Sequence, residues 1–458
     1  MKQVAPSQRD AGLNAVQVTA TTEAEGNTRL RRNMALMVLS FVGNYAASFA
    51  TFPYLTRVLG PAHFGLFAFA TAVAAYGALF SEWGMSLAGP RAVIACRDDK
   101  ARLNALIWSV LGAKTLLYVA ATFVFVLLLR AGVGGAAAGP ALWVSWLGVT
   151  ANVLTMHWLF QGMERFKLIT FMVLISRAVT LPLTFWLVRS PNDVAIAAAI
   201  QAAGPFLAAI FSLYIARRDG LVGSPAISLG AVFARIRESA DMFVATASVT
   251  LFGAANAIIL TSHAGPYAAG IYAGADKIRT VCALVPAQLG MVLYPRIGSL
   301  FTRRKREASR LTARGAALTI FVSVCGAAIS MCFAGPITSI VLGNDFTGAA
   351  DVLRVLALST VSGNLAYFAG LQILVPSGAS KLRSVVIFAV GCMSVLMSLS
   401  LAQRFGALGA ATSCLLCETL ILIAYIALIA KSRRLRRYLS LCGGVRSSLT
   451  IRCLTRNS

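Results

Sequence analysis

Apolar runs of about 18–25 residues recur along almost the whole chain, separated by short polar stretches, and each run is long enough to cross a bilayer as a helix. Twelve such spans are expected, at about 34–56, 64–88, 104–129, 141–161, 169–188, 195–216, 240–262, 271–294, 315–334, 351–375, 385–402 and 408–430. The polar remainder divides the chain into a disordered tail (1–33), a six-span lobe (34–216), a linker (217–239), a second six-span lobe (240–430) and a basic tail (431–458). Val232, Phe233 and Ile236 beside Arg235 and Arg237 suggest a short helix on the membrane surface within the linker.

One pattern joins the halves. Gly60-Pro61, Gly65, Phe67 and Ala70 between the first two spans return 205 positions later as Gly265-Pro266, Gly270, Tyr272 and Ala275. Pro90-Arg91 returns at the same offset as Pro295-Arg296, which points to an ancient duplication. The fold expected is therefore an all-α polytopic membrane protein. Its twelve helices form two six-helix lobes related by a pseudo-two-fold along the membrane normal. Proline ends the first helix, glycine permits the reversal, and small residues beyond it allow close packing. Gly60, Pro61 and Gly65, with Arg57, are read either as a structural hairpin or as a hinge at the outer mouth.

Composition fits this picture. The 458 residues are 58% hydrophobic and 12% charged, about half the charged share of a soluble protein. The net charge of +25 is a matter of topology rather than nucleic-acid binding. With the N-terminus inside, 32 of the 41 basic residues fall in inner segments, while only Arg57, Arg130, Arg189 and Arg404 flank the outside. Both termini are thus expected in the cytoplasm, with Arg303–Arg306 and Arg433–Arg437 touching anionic lipid. The nine cysteines lack paired spacing in polar loops, and Cys414 and Cys417 fall inside an apolar helix, so packing roles are expected.

There is no P-loop, no zinc spacing and no soluble domain to hold a catalytic site, so neither enzyme, metal nor cofactor is expected. Charge inside the spans is the chemistry that remains. Lys114, Arg177, Lys277, Arg279 and Arg354 each cost on the order of 2.5–3.5 kcal/mol to insert, and such residues face a bundle interior or a wet cavity. Asp276 and Arg279 share a helix face, as do Asp351 and Arg354, so each pair can neutralise itself. Lys277 points about 100° away from Asp276 and has no such partner. Glu418 is either a counter-ion or a protonatable coupling site. Shifted back by 205, Asp276, Lys277 and Arg279 fall on Thr71, Ala72 and Ala74, so the scaffold does not require those charges. A surplus of buried cations suits an anionic substrate such as a phosphate or diphosphate.

Three stretches carry a family resemblance: Tyr54-Leu-Thr-Arg57-Val-Leu-Gly60-Pro61 with Phe64-Gly65, Trp83-Gly84-Met85 ahead of Arg91, and Trp158-Leu-Phe160-Gln161-Gly162 with Glu164. Over about residues 34–430 the chain resembles Wzx-type polysaccharide flippases of the multidrug/oligosaccharidyl-lipid/polysaccharide exporter superfamily. Glu82 departs from that pattern, where Asp is usual. The resemblance implies a two-lobed bundle in the bacterial inner membrane that moves undecaprenyl-diphosphate-linked oligosaccharide, for O-antigen or exopolysaccharide, by alternating access through a cationic cavity. A polysaccharide polymerase and a chain-length regulator are the partners it implies. A drug or toxin extruder, which would want an acidic or aromatic cavity, a lipid II flippase, and a membrane glycosyltransferase or polymerase are the rivals.

Overall fold

The computed structural model describes residues 8–132 and 134–441. The far end of the basic tail, with Cys442 and Cys453, and residues 1–7 lie outside the described residues. Those described form fourteen α-helices and no strand. Nine helical segments among them are long and apolar enough to cross a membrane.

Helix α1 (Gln8–Glu82) has two arms that meet at Gly60, whose φ of 66° and ψ of 172° break the helix just before Pro61. A side chain on Gly60 would be strained in that left-handed region, whereas Pro61 suits the first turn of the second arm. The first arm reaches back to Gln8, so 8–33 is helical where a disordered tail was expected. Ala11, Ala15, Ala20, Glu23, Ala24 and Glu25 there are helix formers, and the segment continues a helix already nucleated by the span.

Helices α2 (Met85–Cys96), α3 (Lys100–Arg130), α4 (Gly135–Leu154), α5 (His157–Gly162), α6 (Phe166–Leu187) and α7 (Val194–Arg218) complete the first half. The expected fourth span is interrupted at Thr155, which separates α4 from α5. Gly89 of α2 abuts Trp158 of α5, and a Cβ on Gly162 would press on Val93 and the Pro90 carbonyl, so two of the signature stretches pack on one another. Between α6 and α7, Asp193 accepts hydrogen bonds from the backbone N–H groups of Arg189 (2.9 Å) and Ser190 (2.8 Å). These donors hold its carboxyl below the usual carboxylate range.

The second half comprises α8 (Leu229–His263), α9 (Gly265–Arg303), α10 (Lys305–Cys332), α11 (Ala334–Val341), α12 (Ala349–Ala369), α13 (Ser380–Lys431) and α14 (Arg433–Ser440). A π-helical turn, Gly370–Leu374, follows α12, and α13 has two arms that meet at Gly406 (φ 55°). The surface helix expected in the linker is not a separate element. Val232 and Ile236 pack on the α2–α3–α5 core as the first turns of α8, which then runs unbroken into its span.

The halves meet at both ends of the bundle. At one end Gly265 repeats the Gly60 device, with φ 85° ahead of Pro266. There α1 and α9 cross so closely that a Cβ on Gly65 would overlap the Pro266 carbonyl oxygen, and a Cβ on Gly270 would overlap that of Pro61. The contact is exchanged under the 205-residue shift. Beside it Arg57 donates to the Ile340 carbonyl, Thr56 donates to that of Val341 (3.3 Å), and Phe64 meets Phe346 edge-on at 6.2 Å. At the other end Trp83 stacks on Phe243 at 3.9 Å and its indole N–H donates to the Ile236 carbonyl (3.1 Å).

Candidate functional site

Between these two contacts the charged residues of the spans sort into separate groups. Asp276 and Arg279, one turn apart on α9, form the expected ion pair, with Nε to Oδ1 at 2.7 Å. Arg279 also reaches Glu418 on the second arm of α13, with Nη1 to Oε1 at 3.0 Å. A side chain on Gly363 of α12 would collide with the Glu418 carboxylate, so that glycine makes room for it. Glu418 Oε2 is buried and accepts no hydrogen bond among the described residues. Nearby, Asn256 of α8 donates to the Tyr272 hydroxyl (2.7 Å) and accepts from Ser398 (2.7 Å). The charge of Arg279 is thus answered inside the second half, and Glu418 stands as its counter-ion.

Lys277 takes the opposite direction from the same helix. It is exposed and makes no ion pair or hydrogen bond among the described residues. Two charges act on it electrostatically, the neighbouring Asp276 carboxylate more strongly and Arg177 of α6 from the other half. Arg177 is half-buried, with its Nε donating to Asn44 Oδ1 on the first arm of α1 at 2.8 Å. Thr51, Thr180, Thr184 and Gln201 line the same narrow cleft as Arg177. Two cations from different halves thus lie within electrostatic reach of each other, and no carboxylate is bonded to either among the described residues.

The other expected site residues lie elsewhere. Lys114 is 2% exposed in the core of the first half, with the Glu82 carboxylate and the His157 imidazole as its neighbours. Arg354 pairs with Asp351 at 2.5 Å, as the spacing suggested, at the exposed start of α12. Arg57, Gly60, Pro61 and Gly65 belong to the end contact between the halves. Cys414 and Cys417 are buried free thiols. No group of three or more potential metal ligands occurs among the described residues. Asn44 and Asn256 are site neighbours that charge alone does not reveal; the signal open to a sequence reader was an amide inside an apolar run.

Over 393 residues the chain is 28% identical to an Escherichia coli (strain K12) protein named "Putative O-antigen transporter", covering 86% of this chain and 94% of the relative. A Rhizobium meliloti (strain 1021) protein, "Succinoglycan biosynthesis transport protein ExoT", is 24% identical over 75% of this chain and 68% of its own length. Among solved structures, an inward-facing multidrug-resistance MATE transporter of the MOP superfamily shares the fold with a TM-score of 0.67 at 15% identity, covering 89% of this chain and 98% of that one. The lipid II flippase MurJ in an inward closed conformation shares it with a TM-score of 0.66 at 11% identity, over 89% and 90%. The family model for polysaccharide biosynthesis proteins matches residues 30–301. More than half of the chain lies within that match, and this multi-pass membrane protein belongs to the polysaccharide biosynthesis protein family.

Proposed function

We propose that the chain flips undecaprenyl-diphosphate-linked oligosaccharide from the cytoplasmic to the periplasmic leaflet of the bacterial inner membrane. The two arms of α1 and of α13, counted separately, and the 35-residue α8 support a reading of twelve crossings in two six-helix lobes. The 32-to-4 distribution of basic residues puts both termini in the cytoplasm and the Gly-Pro hairpins on the periplasmic side. On that orientation the exchanged glycine contact seals the outer mouth.

The observation that carries the reading is that Lys277 and Arg177, from the two halves, lie within electrostatic reach of each other, with neither bonded to a carboxylate among the described residues although Asp276 lies beside Lys277. Like charges held at one place in a membrane protein are costly unless an anion joins them. A sugar-diphosphate head group cannot leave water for hydrocarbon without replacement of its solvation. Charge-assisted bonds from a lysine and an arginine supply that replacement while the polyprenyl tail stays in lipid. Because the two cations belong to different lobes, a diphosphate bound to both favours their approach. Its release on the far side accompanies their separation. No bond is made or broken. Asp276, Arg279 and Glu418 form an ion cluster that ties α9 to α13 behind this site.

The test is genetic. In cells that depend on this gene for surface glycan, Lys277→Ala and Arg177→Ala each abolish the glycan while the protein stays inserted, and Lys277→Arg keeps it. Wild-type glycan in both alanine variants would remove these residues from the site and the reading with them.

A further inference from the structure

A second space opens in the first half, between the second arm of α1, α4 and α7, with a volume of about 310 Å³. That is at the lower end of the range for small-ligand sites. Half of its lining is alanine and glycine, and four polar side chains line it: Thr71, Ser145, Asn152 and Gln201. Ser145 is 7% exposed, and its Oγ makes no hydrogen bond among the described residues. The amides of Asn152 and Gln201 are bonded to no described residue either. No charged residue lines the space. Gln201 also lines the cleft of Arg177, so the two spaces share a wall.

The 205-residue shift relates this space to the ion cluster of the other half. Thr71 and Ala74, which line it, correspond to Asp276 and Arg279. Where the second half fills that helix face with an arginine bridging two carboxylates, the first half keeps alanines and leaves room.

We propose that this cleft binds a neutral, hydroxyl-rich sugar ring of the substrate whose phosphates Arg177 and Lys277 hold; the inference rests on the flippase reading. Side-chain amides present a donor and an acceptor side by side, which matches adjacent sugar hydroxyls, and the Ser145 hydroxyl adds either role. An apolar guest would leave the buried Ser145 hydroxyl unpaired, at about 1–3 kcal/mol, and would not use the two amides. A phosphate would meet no cation here, and an organic cation no carboxylate. The shared wall at Gln201 puts sugar and phosphate within one molecule's reach.

The full-length protein in nanodiscs tests this with three probes: farnesyl diphosphate, and farnesyl diphosphate esterified to N-acetylglucosamine or to galactose. Wild type is expected to bind at least one sugar-bearing probe tenfold or more tightly than the bare diphosphate. Asn152→Ala should erase that preference and leave affinity for the bare diphosphate unchanged. Ala75→Leu, which fills the cleft with hydrocarbon, should do the same, and unchanged melting temperatures exclude misfolding. Equal wild-type affinity for all three probes would overturn the sugar site and leave the flippase reading standing. So would equal weakening of all three in both variants. Failure of wild type to bind even farnesyl diphosphate would overturn the flippase reading, and the sugar site with it.

Discussion

Lys277 and Arg279 are two residues apart on one helix and differ in what answers their charge. Arg279 is held by two carboxylates at 2.7 and 3.0 Å, whereas Lys277 has no bonded partner among the described residues. Removing only the cation of the Arg279 cluster leaves two half-buried carboxylates without their shared partner. Arg279→Leu should therefore destabilise the protein by about 3–5 kcal/mol, seen as a lower melting temperature in detergent. Replacing Glu418 as well, in Arg279→Leu/Glu418→Leu, removes one orphaned charge and should recover part of the loss. A double variant no more stable than the single would mean that Glu418 is not the partner the geometry makes it. Half of this cluster was legible beforehand, because Asp276 and Arg279 stand at helical i,i+3 spacing. Glu418 joins from 139 residues away, a distance that no local pattern bridges. The approach of Arg177 to Lys277 has the same long-range origin, and so does the convergence of Ser145, Asn152 and Gln201.

At the scale of elements, glycine and proline were the most reliable guides. The Gly60-Pro61 reversal and its copy at Gly265-Pro266 were both readable, because few residues tolerate a positive φ and none but proline lacks the amide. What the chain did not reveal is that the two hairpins press on one another. Contact between them leaves no space for a Cβ at Gly65 or Gly270. Gly65→Val should hold this end of the bundle open. Cysteines in place of Thr56 and Val341, which meet through a side chain-to-carbonyl hydrogen bond, report on this directly. They should crosslink under oxidation in the parent chain and lose most of that yield when Gly65→Val is added. Undiminished crosslinking would show that the lobes close without the glycine crossing. The misread linker has an equally local cause. Its apolar residues Val232 and Ile236 find a core to join on α2 and α3, so they extend α8 and need no lipid surface.

For the molecule as a whole, hydropathy and basic-residue placement were sufficient to define a polytopic helical protein, since both follow from the bilayer and not from packing. They say nothing about which helices touch, and the sites depend on that. Gly65 and Gly270 trade one contact under the repeat shift, as two copies of one subunit would across a two-fold axis. An ancestor half as long would have met its own twin there, glycine to glycine, and assembled as a homodimer before fusion made the partnership permanent. If that docking information survives, the covalent join is dispensable. Residues 1–222 and 223–458, separated within the stretch that follows α7 and coexpressed as two polypeptides, should co-purify and restore surface glycan. Halves that accumulate in the membrane yet never associate would show that fusion has since become essential to assembly.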